Sequence, residues 1–131
     1  MSKFSNYLED QITNWLNGQP FASTLTGGVF VQLYSQDPGE TGSSTGALFT
    51  RINVAAGGFT RGTGGAGTLT NTAIIPITSN SGVAVTASHV GVFDAITGGN
   101  MLFYGALTAP KSIAIGDEVK FNANQLTLTI D

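Results

Sequence analysis

The stretch HVGVFDAITGGNMLFYGAL, residues 89–107, decides how the whole chain reads. Val, Phe, Leu and Tyr crowd both ends of it, as a pleated, half-buried surface requires. Between them ITGGN (96–100) supplies residues that tolerate positive φ. The spacing predicts a hairpin: one strand over 84–95, a short glycine loop, and a returning strand over 100–107. The stretch also holds His89, the single histidine of the chain. It is therefore the first place to look for chemistry as well.

The two-residue period extends outward in both directions. VFVQLYS (29–35) sets Val29, Val31 and Leu33 against Phe30, Gln32 and Tyr34. ALFTRINVA (47–55) sets Leu48, Thr50, Ile52 and Val54 against Phe49, Arg51 and Asn53. TLTNTAIIPIT (68–78), SIAI (112–115), EVKFNA (118–123) and LTLTI (126–130) continue the run. Pro76 lacks an N–H, which confines its segment to a sheet edge or a bulge. About seven or eight such strands predict a mainly β fold, an antiparallel β-sandwich or barrel over 28–131. The Gly-rich segments 39–46 and 57–67 read as adaptable arms.

Only the N-terminus breaks this pattern. In SNYLEDQITNWLNG (5–18), Tyr7, Leu8, Ile12, Trp15 and Leu16, with Phe4 just before, recur near a 3.6-residue period. Ser5 or Asn6 can cap the start, Glu9 and Asp10 suit the positive end of the helix dipole, and Gly18 and Pro20 stop the helix. The reading is one amphipathic α-helix over 4–17. A helix of about 12 residues is marginal alone in water. It must dock on its own sheet or on a neighbouring subunit. Phe4, Tyr7, Leu8, Ile12, Trp15 and Leu16 are its candidate docking face. Glu9 and Asp10 stand where a secretory leader would be apolar, and no run approaches the ~20 apolar residues of a membrane helix, so neither is expected.

A chain of 131 residues suits a single domain, 1–131. It has no cysteine, which removes disulfides, thiolate metal sites and a cysteine nucleophile. Only 10% of its residues are charged, against about 25% in an ordinary soluble domain. The five basic residues, Lys3, Arg51, Arg61, Lys111 and Lys120, are scattered. Nucleic acid is therefore not an expected partner, since phosphate binding needs clustered cations. A surface so poor in charge is prone to associate, and partners are expected to cover part of it.

The motifs of catalysis fail one by one. Ser88 and His89 are strand neighbours, so they point to opposite faces unless a bulge resets the register, and His89 and Asp94 also differ in parity. There is no G-x-S-x-G elbow. One histidine without cysteine cannot build a transition-metal site unaided, and the acids of DPGETGSS lack calcium-loop spacing. GTGGAG (62–67) has dinucleotide-like glycines, but a strand follows where a helix would be needed. No enzyme, cofactor or metal is expected.

NYLEDQITNWL, VFVQLYSQDPGETG, LTNTAIIPI, HVGVFDAITGGNMLFYGAL and GDEVKFNANQLTLTID span nearly the whole chain. Together they resemble a family of small tailed-bacteriophage virion structural proteins, the tail-fibre-like and capsid decoration proteins. The resemblance implies a virion part held by its neighbours. The expectation is a capsid decoration (cement) protein that bridges major capsid protein subunits on the capsid surface as a homo-oligomer, a trimer. The alternatives are a tail or fibre component among tail proteins, and a carbohydrate-binding β-module for host attachment. The last would need an exposed aromatic platform, for which Phe30, Tyr34 and Tyr104 are the candidates.

Overall fold

The computed structural model describes residues 2–65 and 67–130. Among the described residues are ten strands and one helix. They are β1 (Ser2–Phe4), α1 (Asn6–Leu16), β2 (Val29–Tyr34), β3 (Ala47–Val54), β4 (Phe59–Arg61), β5 (Thr68–Asn71), β6 (Ile75–Thr78), β7 (Val85–Phe93), β8 (Met101–Ile113), β9 (Glu118–Phe121) and β10 (Thr127–Thr129). The fold is mainly β with one N-terminal helix, and every pairing is antiparallel. A five-stranded sheet runs β1-β8-β7-β2-β3, a three-stranded sheet β10-β5-β4, and a two-stranded sheet β6-β9. These layers share one core and do not close into a barrel.

The hairpin read from 89–107 lies at the centre of the large sheet as β7 and β8, paired from Phe93↔Met101 to Val85↔Ile113. The 100–107 and 112–115 segments are one continuous strand, not two. Between Ala87↔Lys111 and His89↔Ala106 the ladder is interrupted, and Leu107–Pro110 bow out opposite the single residue Ser88. Pro110 has no N–H to give a ladder, so it sits where the ladder is broken. The 68–78 segment divides instead. Asn71 is fully buried, and its amide donates to the carbonyls of Ala73 at 2.8 Å and Asn122 at 2.9 Å while its oxygen accepts from Leu126 N at 2.9 Å. That turn hands the chain from the three-stranded to the two-stranded sheet, where Pro76 occupies a strand with one neighbour.

Strand β2 has neighbours on both sides and is buried on both faces. Val31 and Leu33 enter the main core with Val90, Val92, Phe103, Ile77, Val119 and Leu128. Tyr34 enters a smaller core with Phe93, Met101 and Tyr104 on the opposite face. Burying each such aliphatic contributes about 1.5–3 kcal/mol. At Gly91 a Cβ would come within 3.1 Å of both the Tyr34 and Phe93 rings, so the rings use the space a side chain would take.

Two expected arms are part of the body. The 39–46 segment covers the smaller core, where a Cβ on Gly42 would meet Met101 at 2.8 Å, and Asn6 N donates to Glu40 O at 3.0 Å. The 57–67 segment contains β4, which pairs with β5; Ala66 lies outside the described residues. The extra strands β1 and β4 each have only three residues, too short for a period of two to register in sequence.

Candidate docking surface

The helix begins two residues later than its apolar period suggests, because Phe4 belongs to β1. There Phe4 pairs with Phe103, and the two rings meet edge-on at 5.3 Å. Ser5 is the N-cap: its hydroxyl accepts from Leu8 N at 3.2 Å and donates to Met101 O, while Ser5 N donates to Leu102 O at 3.0 Å. A single buried serine thus fixes the helix to the head of β8. Tyr7 and Leu8 pack on the main core, and Ile12 is half-buried. Gln11 is buried, with its side-chain oxygen accepting from Ala22 N at 2.6 Å.

The six residues read as one docking face are therefore split. Phe4, Tyr7, Leu8 and Ile12 face the chain's own body. Trp15 and Leu16 do not, being 58% and 73% exposed. They are joined by Phe21, whose ring lies 6.4 Å from that of Trp15; Leu25 and Ile96 are exposed as well. Sequence periodicity could not find Phe21, Leu25 or Ile96, because they sit in loops outside any repeat. In the segment after α1, Ser23 donates to Asp94 at 2.8 Å, and Tyr7 hydrogen-bonds Ser23. That ties the segment after α1 to the hairpin turn that carries Ile96.

The hairpin turn itself is braced by charge. Asp94 accepts from Asn100 N at 2.7 Å and from its side-chain amide at 3.0 Å. Partial burial would raise the Asp94 pKa, but the hydrogen bonds from Asn100 and Ser23 outweigh it and hold the carboxyl below its ordinary value. Arg51 donates to the carbonyls of Ala95 at 2.7 Å and Gly98 at 2.8 Å, and its guanidinium lies 3.6 Å from the centre of the Phe93 ring. Burial lowers the Arg51 pKa, opposed by Tyr34 and Asp94; burial raises that of Tyr34, opposed by Arg51. Arg51 reaches this place through a bulge. The β2–β3 register shifts between Val31 and Leu33, Phe49 adopts φ 65, and the Gln32 amide donates to the freed carbonyls of Leu48 at 2.5 Å and Phe49 at 2.9 Å. In the sequence Arg51 is only one scattered base.

His89 stands apart from this network. The broken ladder of β7 is the register reset that strand parity requires, and it brings Ser88 Oγ to 2.8 Å from His89 Nδ1. Asp94 is bound to Asn100 and Ser23 instead, so the three side chains form no relay. Among the described residues no three of His, Asp or Glu gather where they could hold a metal ion, and no helix is long and apolar enough to cross a membrane. Tyr34 and Tyr104 are buried and Phe30 packs against them, so these three make no aromatic platform for a sugar.

A second open surface lies along β8. Among the described residues β1 pairs with β8 only at Phe103–Gly105. Beyond it a cleft of about 680 Å3 opens between β8 and the β9–β10 side. Its walls include Val90, Phe103 and Leu107 on one side and Phe121, Leu126 and Leu128 on the other. Two exposed lysines, Lys111 and Lys120, line it as well.

Residues 3–129 match the profile of a protein family described as podophage GP4 fiber I protein gp80. A search of the curated proteins gave no match.

Proposed function

Since the chain belongs to the podophage GP4 fiber I protein gp80 family, we propose that it serves in the fibre of a phage virion, holding neighbouring subunits through its surface and catalysing no reaction. Membership makes it a structural component of a bacteriophage virion. The fibre description favours this place over the capsid shell that the resemblance suggested. The exposed Trp15–Leu16–Phe21 patch, followed by the Ser23 link to a turn that Arg51 and Asp94 brace, carries the docking part of the reading. Large exposed apolar patches mark sites of association, and a rigid base keeps the entropy lost on binding small.

The experiment is a phage carrying Trp15→Asp and Leu16→Asp in this gene, followed by mass spectrometry and cryo-electron microscopy of purified virions. The expected result is a few copies per wild-type particle at the tail and none in the variant. Normal loading of the variant refutes the docking role. Many copies spread over the head would return the protein to the capsid shell.

A further inference from the structure

Directly after Trp15 and Leu16 stands the one Asn-Gly pair of the chain, Asn17–Gly18. Asn17 is the C-cap of α1, with φ -89 and ψ 14, and Gly18 turns the chain away at φ 86. Both are exposed. Among the described residues no hydrogen bond holds the Asn17 side-chain amide. Other asparagines differ on both counts. The side-chain amides of Asn53, Asn71, Asn80 and Asn100 donate to Gly27, Ala73, Thr50 and Asp94, and a residue with a Cβ follows each of them.

Asparagine is among the chemically thermolabile side chains. A following glycine exposes it most, having no Cβ to block ring closure and turning freely in φ and ψ. The reaction needs only these two residues and water. Gly18 N attacks Asn17 Cγ. The new N–Cγ bond replaces the Cγ–Nδ2 bond, the Gly18 N proton passes through solvent to the departing nitrogen, and ammonia leaves a cyclic imide behind. Water then opens the ring at either carbonyl, giving aspartate or iso-aspartate at position 17. Gly18 N is restrained by its bond to Trp15 O at 3.0 Å, in the last turn of the helix. Such a bond contributes only about 0.5–1.5 kcal/mol, and helix ends fray.

We propose that Asn17–Gly18 is a site of spontaneous modification that ages the docking patch: free copies of the chain convert, and copies whose patch is covered do not. The second half rests on the docking role given above. A carboxylate at position 17 stands at the negative end of the helix dipole, and α1 has no basic residue in its last turn to offset it. Iso-aspartate adds a carbon to the main chain, so Asn17 N, Gly18 N and Gln19 N lose their register with Thr13 O, Trp15 O and Asn14 O. Those bonds close the turn that presents Trp15 and Leu16. A partner seated on these two side chains holds the same turn shut and keeps Gly18 N on Trp15 O.

The test holds the purified full chain in warm, mildly alkaline buffer beside purified virions in the same buffer, and maps both by peptide mass spectrometry with detection of iso-aspartate. In the free chain Asn17 should convert before any other asparagine. Asn17→Gln should abolish that conversion, because the longer side chain closes the ring poorly. In virions Asn17 should stay intact. Asn17→Asp should speed hydrogen exchange of the Gly18 and Gln19 amides roughly two- to fivefold, the dipole effect on a last turn, with the sheet amides unchanged. A free chain that keeps Asn17, or converts other asparagines first, overturns the proposal and leaves the docking role to the virion-loading experiment. Unchanged exchange in Asn17→Asp overturns the link to the patch. Equal conversion in virions and in the free chain sinks the protection alone. Normal virion loading of the Trp15→Asp and Leu16→Asp variant sinks the docking role, while conversion of the free chain stands.

Discussion

Replacing Arg51 with Met removes the guanidinium while keeping an unbranched stem against the Phe93 ring. Four interactions are lost: the bonds to Ala95 O at 2.7 Å and Gly98 O at 2.8 Å, a longer and weaker one from Nε to Gln32 Oε1 at 3.3 Å, and the stacking of the cation 3.6 Å from the Phe93 centroid. A hydrogen bond from a charged donor contributes about 1.5–3 kcal/mol when buried. Arg51 is only half-buried, so water can replace part of each, and about 1 kcal/mol apiece is the fair figure. The cation–ring contact adds about 0.5–2 kcal/mol. The sum is about 2–4 kcal/mol, or a fall in Tm on the order of 10 °C for a chain of this length. Urea denaturation gives the total. Hydrogen exchange of the amides over 95–100 gives its location, because the turn should lose protection before the sheet does. A double-mutant cycle with Phe93→Leu should return a coupling of about 0.5–2 kcal/mol. If Arg51→Met stays within about 0.5 kcal/mol of wild type and the turn exchanges as before, the brace is an exposed decoration and the reasoning fails.

Two further outcomes follow from other hydrogen-bonded polar side chains. Asn71→Ala should cost about 2–4 kcal/mol in denaturant unfolding, since Leu126 N is left buried without its acceptor and three carbonyls lose their donor; a loss under about 1 kcal/mol would show that water restores these bonds. The Asp94 carboxyl is held below its ordinary value of 3.8 by Asn100 and Ser23. Its contribution to stability is therefore complete above that value and lost as pH falls through it toward the folded-state pKa. The stability difference between wild type and Asp94→Asn should shrink between about pH 5 and pH 3, and a constant difference would place the effect elsewhere.

Legibility in the sequence followed the range of the interaction concerned. The helix stop at Gly18, the Ser5 cap and the glycine turn of the central hairpin all depend on neighbours within a few residues, and all stand as read. Periodicity also marked most strands, because a side chain's face is fixed by its own backbone. The candidate site was half visible. Trp15 and Leu16 were in the apolar stripe, but so were Phe4, Tyr7, Leu8 and Ile12, which turn inward.

The amino-acid order alone determined the class of the fold, its antiparallel strands, its single helix and the poverty of charge that makes association expected. Tertiary structure decided the rest. It joined two segments into β8 across Pro110, divided another at Asn71, lifted Arg51 over Phe93 through a bulge, and left one end apolar and one flank open. Each of these depends on which strands become neighbours and in what register. That choice minimises the free energy of the whole packed chain, with buried polar groups satisfied by residues dozens of positions away. No local stretch of sequence contains it.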